Sequence, residues 1–143
     1  MAPCAEVSTY AYGAMILANV LVKEQDMTKK KAYFNELMNL YDTRLKHMDA
    51  LNSFTKADKR ATKGDILARK AFDYAYYGAG VADGYSLDKA YTMFREGIDL
   101  INKDGAKRSP VSVLDKFFEI SYQRYMADST AFREQFLKVL YWK

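Results

Sequence analysis

Phe72 to Tyr85 reads FDYAYYGAGVADGY, and this stretch holds four of the chain's twelve tyrosines and three of its seven glycines. Aromatics this dense predict a buried or contacted surface, and the glycines among them predict a close backbone approach or a turn. Upstream, Thr62 and Asp65 have the Thr-x-x-acid spacing of a helix start, so a helix is predicted from about Lys63 to Ala79. Leu67, Ala71, Tyr74, Ala75 and Gly78 make one stripe on it, and Ala68, Phe72, Tyr76 and Ala79 make another. A helix with so little polar surface belongs near the centre of a fold. Downstream, Gly80 to Tyr85 reads as a turn, and Ser86 can cap a further helix with Leu87, Ala90, Tyr91, Phe94, Ile98 and Ile101 on one side. Tyr74 and Tyr77 are expected to meet that helix across Gly78.

Towards the N-terminus, no glycine or proline occurs between Gly13 and Gly64, and the apolar positions keep helical spacing. A first helix is predicted from after Ser8 or Thr9 to about Gln25, apolar nearly all round, as for a helix surrounded by others or by a partner chain. Asp26 or Thr28 can cap a second, whose seam Phe34, Met38, Tyr41, Leu45 and Met48 is widened by Leu37, Leu40 and Leu51. Asn52 to Ala61 reads as a polar connection. Towards the C-terminus, Asn102 to Lys107 ends the Ser86-capped helix, and Ser109-Pro110 is a cap followed by a tolerated first-turn proline. The next helix carries Leu114, Phe117, Phe118, Ser121 and Tyr125 on one face. After a polar step at Asp128 to Thr130, a last helix turns Phe132, Phe136, Val139, Leu140 and Trp142 inward. No strand is predicted. The fold class is all-α, with residues 1–143 as one helical bundle or irregular array of about six helices.

Tyr74, Tyr77 and Gly78, followed by Ala90, Phe94 and Gly97, stand where a tetratricopeptide or Sel1-like repeat places its large and small residues. Gly78-Ala79-Gly80-Val81 is similar to the Gly-x-Gly-Val of Sel1 repeats. Residues 71–102 therefore resemble one TPR/Sel1-like helical hairpin. The resemblance implies a helix pair that presents a surface to another protein or peptide.

Half of the 143 residues are hydrophobic, 28% are charged and two are proline, a globular composition. The longest apolar run, Ala14 to Val22, contains Asn19 and stops at Lys23, short of the roughly 20 residues a spanning helix needs. The single cysteine, Cys4, excludes an internal disulfide, and the first residues lack a secretory pattern. The expected location is intracellular, or within a virion assembled intracellularly. The net charge of +4 is concentrated between Lys29 and Lys70, with 11 basic residues against 5 acidic.

Catalytic and metal chemistry find little material. His47 is the only histidine, with no carboxylate or cysteine at ligand spacing on its helix. Cys4 has no positive neighbour to lower its pKa. Gly78-x-Gly80-x-x-x-Gly84 lacks the preceding strand and the Lys-Ser/Thr of a phosphate loop. Asp73 alone stands out, a carboxylate inside the aromatic helix. It is either held by Arg69, Lys70 or a tyrosine hydroxyl, or it is an acid or base with its pKa raised by burial. No catalytic residue, cofactor or metal ligand is therefore assigned. The expected function is that of a non-enzymatic structural or protein-interaction protein, a small subunit of a larger assembly such as a virion or organelle complex. Tyr74, Tyr76, Tyr77, Tyr85 and Tyr91 are the candidate interface residues, because tyrosine joins large contact area to a polar tip. The alternative is a nucleic-acid-binding helical protein using Lys29, Lys30, Lys31, Lys56, Lys59, Arg60 and Lys63 on phosphates. A third reading, from another class, is an enzyme built on Asp73 and neighbouring tyrosines.

Overall fold

The computed structural model describes residues 7–56, 60–105 and 109–140. Among them are seven helices and no strand: α1 (Val7–Lys23), α2 (Met27–Lys46), α3 (Met48–Ser53), α4 (Lys63–Gly78), α5 (Leu87–Asp104), α6 (Val111–Ala127) and α7 (Ser129–Leu140). They pair as three hairpins, α1/α2, α4/α5 and α6/α7, with α2 packed on α4 and α6 packed on both α4 and α5. None of these helices is long and apolar enough to cross a membrane. Cys4, Lys59, Lys107, Arg108 and Trp142 lie outside the described residues.

The aromatic helix α4 is central. Thr62 and Asp65 close the expected capping box, the Asp65 amide donating to Thr62 Oγ1 at 3.2 Å and the Thr62 amide to Asp65 Oδ2 at 2.9 Å. The cap of α5 is Ser86, which accepts from the Lys89 amide at 3.0 Å. Ala68, Ala71, Phe94, Ile98, Ile101, Val113, Phe117 and Ile120 join in one core between α4, α5 and α6. Each large side chain buried there contributes about 1.5–3 kcal/mol.

The α4/α5 hairpin closes on backbone. A Cβ built on Gly97 would lie 2.5 Å from the Ala68 amide nitrogen, and one on Gly64 would lie 2.8 Å from that of Ile101. The close approach was expected at Gly78, but Gly78 faces α2, where a Cβ would meet the Phe34 ring at 3.0 Å. Tyr74 follows it, stacking on Tyr85 with centroids 5.1 Å apart and tilting against Phe34 at 6.1 Å. The chain leaves α4 through Gly80 and Gly84, both at positive φ, as a turn requires.

Three further differences have local causes. The seam expected to run on to Leu51 breaks at His47, whose backbone leaves helical geometry and divides α2 from α3. Of the two residues expected to cap α2, Asp26 does so, accepting from the Thr28 amide at 3.0 Å. Ser109 makes no capping bond. Pro110 takes the cap position, and Ser109 Oγ is buried without a partner among the described residues. On α6 the buried line is Val113, Phe117, Ile120 and Ser121, while Leu114 and Phe118 turn outward. The α4/α5 side takes the first line and α7 covers part of the second, Phe136 lying 5.8 Å from Phe118 and 4.9 Å from Tyr125.

Candidate functional site

Helical spacing brings three sets of residues around one cavity. Arg69, Asp73 and Tyr77 step by four along α4. Tyr41 and Arg44 lie one turn apart on α2, and Tyr10, Ala14 and Ala18 step by four along α1. Together they line a cavity of about 290 Å³ where α1 stands off from α4. Asp73 is 5% exposed and Tyr41 4%. The Tyr41 hydroxyl donates to Asp73 Oδ2.

Burial raises the pKa of the Asp73 carboxyl above its ordinary value, and the Tyr41 hydrogen bond and the Arg69 charge recover part of that rise. The Tyr41 hydroxyl is pushed up in turn, first by burial, then by the charge of Asp73 and the hydrogen bond to it. Burial also lowers the pKa of Arg44, opposed by Tyr41, Asp65 and Tyr10. The cavity thus holds two guanidinium groups and three tyrosine hydroxyls around one buried acid. Of the partners expected for Asp73, the tyrosine hydroxyl supplies the hydrogen bond and Arg69 the charge. Lys70 instead pairs with Asp42 on α2 at 2.7 Å.

The candidate interface tyrosines do not share one surface. Tyr74 is buried and Tyr85 half-buried against it. Tyr77 lines the cavity. Tyr91 lies 5.3 Å from the Phe117 ring, beneath the guanidinium of Arg124 at 4.2 Å. Tyr76 is the exposed one, at 58%, stacked on Phe72 with Lys116 above its ring. The basic candidates also divide. Lys31 pairs with Asp83 at 2.8 Å beyond the end of α4, whereas Lys63 starts α4 and Lys56 and Arg60 sit in the loop before it. Since α2 and α4 run antiparallel, the two groups lie at opposite ends of α2, separated by roughly 20 Å at 1.5 Å per residue. Among the described residues no cluster of His, Cys, Asp and Glu could hold a metal ion.

A surface with no candidate from the sequence lies on the outside of α1. Tyr12, Met15 and Ile16 are 62%, 57% and 60% exposed, and Val20 and Val22 are exposed beside them. The opposite face, with Tyr10, Ala18 and Leu21, is buried. A second open apolar line runs along α6 through Val111, Leu114, Phe118, Tyr122 and Met126, continued by Leu137 and Leu140 on α7. The central α4/α5 pair exposes Tyr76 alone among its large hydrophobic side chains. The signal for α1 was its all-round apolarity, which did not say which side was open.

The chain has no significant match among protein-family models, curated proteins or solved structures.

Proposed function

We propose that this chain is a non-enzymatic interaction protein, a subunit of a larger assembly that docks an apolar helix of a neighbouring subunit on the outer face of α1. The observation that carries the reading is that face itself. It presents Tyr12, Met15, Ile16, Val20 and Val22 to solvent, and α1 carries no charge before Lys23. Contiguous exposed apolar side chains of this size mark an interaction site rather than an ordinary surface. The open line on α6 and α7 supports the same reading. Packed hairpin arrays need polar outer faces at their ends to stay soluble alone, and here both terminal hairpins keep apolar ones.

Ile16→Glu tests it. The side chain is exposed, so the fold should hold within about 0.5 kcal/mol in a urea melt. The assembly should not. Sedimentation of the wild-type protein, pure and in its native extract, should give a mass above that of the 16.4 kDa chain, and Ile16→Glu should return it to the single-chain value. A monomeric pure protein, together with an extract in which Ile16→Glu sediments like wild type, would end this reading.

A further inference from the structure

The cavity between α1, α2 and α4 differs from the core between α4, α5 and α6, where large side chains such as Phe94, Phe117 and Ile120 fill the space. Here α1 turns Ala14 and Ala18 inward, and about 290 Å³ stays open beside a buried carboxylate. A void lowers stability in proportion to its volume, so a donor-lined one holds solvent or a ligand. Its size is at the lower end of small-molecule sites, which are mostly apolar with a few convergent polar groups. That description fits these walls. Ala14, Ala18 and Leu40 supply the apolar part, and Arg44 and Arg69 converge from two different helices.

The balance of groups names the ligand. The walls offer two guanidinium forks, those of Arg44 and Arg69, and the hydroxyl of Tyr77, all able to donate. Against them stand one acid, Asp73, whose Oδ2 already accepts from Tyr41, and the amide of Asn19. Asp65, whose charge also acts on Arg44, accepts from the Thr62 amide at the start of α4 and does not line the cavity. A cation entering would meet two guanidiniums, whereas a carboxylate would meet their planar forks, the geometry that binds it in two parallel bonds. We infer that this cavity is a binding site for a small organic carboxylate, its acid group held between Arg44 and Arg69 and its short apolar body lying on Ala14, Ala18 and Leu40. Ala11, Met15, Asn19 and Arg69, all exposed, form the mouth. The mouth shares Met15 with the outer face of α1, but the groups that hold the acid, Arg44 and Arg69, lie on α2 and α4, so the site does not rest on what docks there.

Hexanoate serves as the probe, titrated into the isotope-labelled full chain and followed by amide chemical shifts, with hexylammonium and inorganic phosphate run in parallel. Hexanoate should bind with a dissociation constant near about 1 mM, as expected for so few atoms. It should move the amides around Tyr41, Arg44, Arg69 and Asp73. Arg69→Met, at an exposed position, should weaken it about tenfold or more, as loss of a charge-assisted pair predicts. Ala14→Leu, which fills the cavity, should abolish the shifts while the spectrum stays folded. No shift with hexanoate means that the cavity holds water only and overturns the assignment. So does equal binding of hexylammonium or phosphate, or undiminished binding by Arg69→Met.

Discussion

The α4/α5 hairpin and the seat of α1 both hold helices together, by opposite means. In the hairpin, Gly64 and Gly97 let the two backbones approach closely. At α1 the contact with α4 is made through side chains around a cavity, and the outer face of the helix is left bare. Small residues serve both, with contrary results. Glycine at a crossing removes space, whereas alanine on the wall of a gap preserves it. The first region has one arrangement open to it, and the second has room for something else.

The hairpin is most sensitive at Gly97. Gly97→Leu drives a side chain into the Ala68 backbone, which has no rotamer to yield, so the hairpin should lose about 3 kcal/mol or more, seen as a large drop in the urea midpoint. At the cavity the effect should be smaller. Tyr41→Phe leaves the buried Asp73 carboxylate without its donor and should cost about 2 kcal/mol at neutral pH.

Asp73→Asn sharpens the contrast through pH. Burial raises this carboxyl's pKa in the folded chain, so the folded protein takes up the proton more readily than the unfolded one. Wild type therefore gains stability from Asp73 as pH falls from its folded value towards the ordinary carboxylate range, and loses it as pH rises. The difference in stability between wild type and Asp73→Asn should move in favour of wild type from about pH 7 to about pH 4.5 in paired urea melts. A difference independent of pH would mean that the carboxyl does not feel its burial. Least of all should depend on the exposed pair between Lys31 and Asp83. Lys31→Ala should change stability by about 0.5 kcal/mol or less, and less still in high salt.

What the sequence made legible was local. The start of α4 lies in four consecutive residues, Thr62 to Asp65, and the stripe of α5 repeats within single turns, so both could be read without a partner. The Tyr41–Asp73 bond joins positions 32 apart on different helices. It depends on the register of α2 against α4, which no pattern within either helix fixes. Tyr41 accordingly read as one more residue of an apolar seam, and Arg44 had no reading at all. Phe117 and Phe118 illustrate the same limit. Two adjacent aromatics point to different sides of α6, and only the positions of α5 and α7 decide which one is buried. The outer face of α1 was hidden for the converse reason, since a helix apolar on every side gives no periodicity from which to choose.

The approach of Ala68 to Gly97 also bears on the order in which the chain assembles. It joins positions only about 30 apart, so the α4/α5 crossing can form without closing a long loop. The cavity wall needs Tyr10 and Asp73, about twice as far apart along the chain. The hairpin should then be structured at the folding barrier, with α1 arriving after it, and α1 should be the segment whose amides exchange with solvent while the rest stays closed.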